Sequence, residues 1–159
     1  MTPPSSAPAE TQAPNTASPA SSPEASVSAT PSGNAGSKPP GTFIAGYKGI
    51  DITTGYFIDF TDNPERPQKA EDGAGGDLLF SDGNLEGDSK FGEIERRQSA
   101  DYATCHKNTK YEEEGVFLPD RGTVWCVYTE SGLLGIVTIK AVSDQYITFD
   151  LKVWQGPAD

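Results

Sequence analysis

Thr123-Val124-Trp125-Cys126-Val127-Tyr128-Thr129-Glu130-Ser131-Gly132-Leu133, continuing as an apolar run to Val142, is the stretch that decides the fold class. In residues 123–129, Val124, Cys126 and Tyr128 alternate with Trp125 and Val127, the period of two that sends neighbouring side chains to opposite faces of a strand. Glu130-Ser131-Gly132 then turns the chain back into a second strand over 133–142. Ser143-Asp144-Gln145 turns it again. In the last strand Ile147, Phe149, Leu151 and Val153 make one face, while Thr148, Asp150 and Lys152 face water. Three strands joined by tight turns predict an antiparallel meander. Trp154 shares the polar face, which makes it either a lid at the strand end or an exposed contact residue.

Working towards the N-terminus, the segment Tyr56-Phe57-Ile58-Asp59-Phe60 shows the alternation of a half-buried strand. Residues 61–76, with Asn63-Pro64, Pro67 and Gly73-Ala74-Gly75-Gly76, read as one long loop, and 77–80 as a short strand. A further strand is expected over 90–96. Residues 99–108 predict the single helix, with Ser99 as N-cap, Asp101 in the first turn, and Tyr102, Cys105 and Thr109 along one stripe. The expected fold class is therefore mainly β: an antiparallel meander or sandwich-like sheet with one short helix tethered by a disulfide.

Composition divides the chain near residue 41. Residues 1–41 hold 9 of the 13 prolines, and Met1 and Val27 are their only large apolar side chains. A segment with so little to bury cannot offset the entropy of ordering its backbone, so it is expected to be a disordered Pro/Ala/Ser/Thr-rich linker. A spacer is the simplest reading; a proline-motif ligand and a glycosylated mucin-like segment are its rivals. Residues 42–159 make the single β-rich domain. Of the net charge of −11, the linker contributes only −1, through Glu10, Glu24 and Lys38. The remaining −10 lies on the domain and opposes binding to nucleic acid or to anionic lipid headgroups.

No run approaches the ~18 apolar residues of a membrane span. Met1 leads directly into Thr2-Pro3-Pro4 with no basic and apolar leader, so an export or anchoring segment is expected to have preceded this sequence. The chain's two cysteines, Cys105 and Cys126, following a secretion-type stalk, read as one bridge, against the alternative of two buried free thiols. Closing that loop is worth about 3 kcal/mol in the chain-entropy treatment. The bridge would clamp the helix on the sheet face that displays Val124 and Tyr128. The expected location is extracytoplasmic.

Tyr102-Ala103-Thr104-Cys105, Gly122-Thr123-Val124-Trp125-Cys126-Val127-Tyr128-Thr129, Gly132 and Phe149-Asp150-Leu151-Lys152-Val153-Trp154-Gln155-Gly156 together resemble a small extracytoplasmic β-domain. That domain is found in actinobacterial secreted proteins and at the C-terminus of membrane serine/threonine kinases, after a Pro/Ser/Thr-rich linker. The resemblance covers about residues 47–156 and is poor over 61–92. It implies a sensory or interaction module, and it supplies no catalytic residues. No kinase sequence is present in this chain.

Several groupings invite chemistry. Asp82, Asn84, Glu86, Asp88 and Glu93, with Gly87 at the sixth position, approximate a calcium loop, although Glu86 and Ser89 depart from its pattern. Otherwise no cofactor is expected. Asp59, Asp62, Glu65, Glu71, Asp72 and Asp77 offer carboxylates to a small hydrolase, as any acidic surface would. His106 is the single histidine and neighbours Cys105, but adjacent helical residues diverge by about 100° and do not share a proton. Glu112-Glu113-Glu114 reads as a solvated charge run. Trp125, Trp154, Tyr146 and Phe57 would make a stacking platform if they shared an exposed face. The sequence thus favours a non-catalytic binding or sensory module on a flexible stalk, with a cell-wall component or another envelope protein as partner. A structural or display domain is the alternative, and a carboxylate-dependent hydrolase comes third.

Overall fold

The meander is present. In a computed structural model describing residues 38–71, 75–113, 115–116 and 119–157, β7 (Val124–Thr129), β8 (Leu133–Val142) and β9 (Tyr146–Gln155) pair successively as antiparallel strands. Each turn has a local cause. At the first, the Thr129 hydroxyl accepts from Leu133 N–H at 3.0 Å and Gly132 takes a φ of 78°; at the second, Ser143 Oγ accepts from Tyr146 N–H at 3.2 Å. The described residues all fall within a compact unit running Ala35–Asp159. The linker expected over 1–41 lies, as far as residue 37, outside the described residues.

Two further strands flank the meander. β1 (Phe43–Thr53) pairs with β9, and β6 (Ser89–Ile94) pairs with β7, giving a five-stranded sheet ordered β1-β9-β8-β7-β6. A smaller four-stranded sheet contains β2 (Tyr56–Ile58), β3 (Gln68–Lys69), β4 (Leu78–Ser81) and β5 (Asn84–Glu86), ordered β3-β2-β4-β5. The long loop expected over 61–76 is therefore interrupted by β3. Its two exposed residues carry no apolar alternation and owe their conformation to pairing with Tyr56 and Phe57.

The large sheet is buried on both faces. On one face Ile52, Phe149, Leu151, Val137 and Val127 meet Ile58, Leu78, Phe80 and Leu85 of the small sheet in the main core. On the other, Cys126, Leu134, Ile136 and Ile94 are covered by α1 (Tyr102–Lys107), whose Cys105 is fully buried. Cys105 and Cys126 are disulfide-bonded, with Cα atoms 5.5 Å apart. A six-residue helix has too few internal hydrogen bonds to persist in isolation, so this bond and the packing of Tyr102 hold it in place.

The helix is shorter than 99–108. Asp101, rather than Ser99, is the N-cap; its carboxylate accepts from Thr104 N–H at 2.9 Å. Asp and Ser cap equally well, and Asp101 directly precedes Tyr102, the first residue that packs on the sheet. Asn108 ends the helix by turning its Oδ1 to Lys110 N–H at 2.9 Å, so Thr109 lies beyond it.

Candidate functional site

After α1 the chain returns along the outer edge of the large sheet. Phe91 and Glu112 exchange both backbone hydrogen bonds, each 2.8 Å, and Val116 then exchanges both with Leu85 in β5 of the small sheet, at 3.0 and 2.6 Å. Tyr111 is anchored by its hydroxyl, which donates to Cys105 O at 2.9 Å; burial pushes its pKa up to about 12, with Tyr128 adding to the effect, so the group stays a neutral donor. The segment is thus bonded to β6 at Glu112 and to β5 at Val116, while Asn108 and Lys110 pack over Gly92, where a Cβ would meet Asn108 Nδ2 at 2.5 Å and Lys110 O at 3.2 Å. A cleft of about 730 Å³ is lined by residues 107–110, Glu112 and Val116 together with the second half of β6.

Trp125, Phe91, Ile94 and Val116 give the cleft its apolar lining. Trp125 is half-buried, directly opposite Glu93 in the β6–β7 pairing, and its indole N–H donates to Thr123 Oγ1 at 3.3 Å. The rim carries Glu93, Glu95 and Glu112 together with Lys107 and Lys110. None of these five forms an ion pair among the described residues. An aromatic floor with unpaired charges around it suits a ligand that is partly apolar and partly charged.

The four aromatic residues expected as a platform do not converge. Trp125 packs towards the main core and Trp154 on the opposite face of the same sheet, beside α1. Trp154 is half-buried and meets Phe43 edge-on at 5.5 Å, so of its two expected roles it takes that of strand-end lid. Tyr146 is 46% exposed at the start of β9, eight residues from Trp154 along one strand. Phe57 belongs to the small sheet. Trp125 alone of the four lines the cleft.

The calcium-like segment is not a loop. Asp82 and Gly83, with φ of 49° and 80°, form the two-residue turn of the β4–β5 hairpin, the left-handed geometry that Asp-Gly favours. Asn84 and Glu86 continue in β5, whereas Glu93 lies in β6 of the other sheet, so the five oxygen-bearing side chains are strung over two sheets. Among the described residues no group of three or more His, Cys, Asp or Glu is placed to hold a metal ion.

Two of the hydrolase carboxylates do meet. Asp77 Oδ2 accepts from Phe60 N–H at 2.6 Å, and Asp59 Oδ1 accepts from Asp77 N–H at 3.3 Å. Burial pushes the Asp77 carboxyl to a pKa of about 6, against the pull of the Phe60 hydrogen bond, and the nearby charges of Asp59, Asp88 and Glu130 push the same way as burial. Asp77 is 9% exposed and does not line the cleft beside Trp125; with Asp59 it ties the chain after β2 to the start of β4. Asp62 accepts from Gln68 Nε2 on an exposed loop, Glu65 and Glu71 are exposed, and Asp72 lies outside the described residues. His106 stacks on Tyr102 at 5.5 Å, and the sulfur of Cys105 is committed to the disulfide. In the acidic run, Glu113 pairs with Lys90 at 3.0 Å, and Glu114 lies outside the described residues.

Glu95, Lys107 and Lys110 were not anticipated as site residues. Glu95 follows β6, Lys107 ends α1 and Lys110 lies on the returning segment, of which Val116 is the faint sign in the sequence: an apolar residue following an acidic run. No protein-family model, no curated protein and no solved structure matches the chain.

Proposed function

We propose that this domain is a non-catalytic binding module acting outside the cytoplasm, with its ligand held in the cleft between β6 and residues 107–112. The observation that carries this reading is Trp125: a half-buried indole lining a cleft whose charged rim residues form no ion pair among the described residues. The Cys105–Cys126 bond supports the location, because such bonds persist in oxidising compartments. No helix of the described residues is long and apolar enough to cross a membrane. The domain's charge of −10 supports a partner other than nucleic acid. The binding reading is preferred to hydrolysis because Asp59 and Asp77 are each tied to a backbone N–H and neither lines the cleft.

Amide and indole spectra recorded during titration with short peptides and with soluble cell-wall fragments test this. Binding is expected to move the signals of Glu93, Ile94, Lys110 and the Trp125 indole together. Saturable binding that leaves these signals still and perturbs another surface would overturn the assignment of the cleft.

A further inference from the structure

We propose that the cleft takes an extended polypeptide segment, which adds to the outer edge of β6 as a strand and sets a basic side chain beside Glu93. This rests on the cleft being the ligand site, and it names what enters.

The first reason is hydrogen-bond accounting along β6. Phe91 gives both its N–H and its C=O to Glu112, so in the antiparallel pattern Lys90, Gly92 and Ile94 turn their backbone groups to β7 and Ser89, Phe91 and Glu93 turn theirs outward. At Glu93 the outward N–H and C=O have no partner among the described residues. Glu93 lines the cleft. An edge strand with unpaired groups is a template for one more strand.

The second reason is continuity. The edge already accepts chain at Phe91 through Glu112 and, in the neighbouring sheet, at Leu85 through Val116. An incoming segment would extend this pairing by one register step. Its side chains would alternate between the Trp125 and Val116 side and the Thr104 and Lys107 side, the two walls that the cleft presents to either side of the edge.

Charge decides the composition. Glu93 falls on the same side of the sheet as Trp125, Glu95 lines the same cleft, and neither has an ion-pair partner among the described residues. A lysine or arginine placed there would meet both carboxylates and the indole face, within a domain carrying −10 overall. A saccharide could stack on Trp125 but would leave the Glu93 backbone unread.

The test uses the whole chain and three probes: short peptides alternating basic and apolar residues, the same peptides N-methylated along one edge, and soluble glycan fragments. The peptides are expected to bind, to slow hydrogen exchange at the Glu93 amide, and to lose about tenfold or more in affinity on N-methylation of the pairing edge. Glu93→Lys is expected to weaken binding by a similar factor while leaving the unfolding midpoint in place. N-methylated peptides that bind as well as their parents would overturn strand addition. Glycans that bind at Trp125 while peptides do not would overturn it too, leaving the cleft as the ligand site. Silence from all three probes counts against both.

Discussion

The ring of Phe60 packs against Gly135: a Cβ at position 135 would sit 2.3 Å from Phe60 Cε2 and 2.8 Å from Cζ. Gly135 pairs with Val127 and Val153 at the centre of the large sheet, and Phe60 follows β2 of the small one. The missing side chain is what lets the two sheets approach there. Gly135→Ala should therefore destabilise the domain by about 1 to 3 kcal/mol, read as a lower denaturation midpoint at unchanged slope. Adding Phe60→Leu should recover part of the loss, since the two sites share one contact. Additive losses would show that the ring is not the obstacle.

Reduction of the Cys105–Cys126 bond is expected to lower stability by about 3 kcal/mol. The loss should be uneven. The main core contains neither sulfur, whereas α1 depends on the bond, so amides of residues 102–107 should lose exchange protection well before those of β8 and β9. Equal loss everywhere would mean that the helix and the sheets open as one unit.

Asp77 gives the domain a pH dependence whose sign is fixed. Its carboxyl has a pKa of about 6 in the folded chain against an ordinary 3.8, so folding favours the protonated form. That contribution is fully present below about pH 4 and is lost as pH rises through about 6. Asp77→Asn keeps an oxygen for Phe60 N–H and removes the buried charge. It should flatten the stability profile between these limits, with a gain over the parent on the order of 2 kcal/mol above pH 6. A profile that falls as steeply in Asp77→Asn as in the parent would place the titrating group elsewhere.

Gly83→Ala should cost about 1 to 2 kcal/mol, because a φ of 80° is left-handed and the two-residue turn requires it. Asp82→Asn should be neutral, since Asn tolerates the same conformation. Calcium at millimolar level is expected to leave the thermal midpoint of the parent and of both variants unmoved. A rise abolished by Asp82→Asn would restore a metal to this hairpin.

The sequence reveals structure where burial enforces alternation. β7, β8 and β9 are legible because one face of each is locked in the main core, and Cys105 with Cys126 locates α1 because only one pairing exists. β1 is harder to see, since register shifts between Phe43 and Ala45 and between Tyr47 and Ile50 break its period. β5 contributes a single buried apolar side chain, Leu85, and its carboxyl-rich flanks imitate a metal loop. The cleft shows the limit most clearly. Trp125 is readable as an aromatic on a strand, but the wall opposite it depends on two isolated backbone bridges between residues far apart in sequence, and these leave no local pattern.

Gly41 N–H bonds to Gln155 O at 2.8 Å and Gln155 N–H to Thr42 O at 2.9 Å, so the two ends of the folded chain leave from one corner. Tension between them therefore falls on a single rung and peels β1 from β9 one rung after another, without shearing the ladder as a whole. A domain pulled in this way yields at low force. Held by one end alone it carries no load, and β6, at the far side of the sheet, is spared.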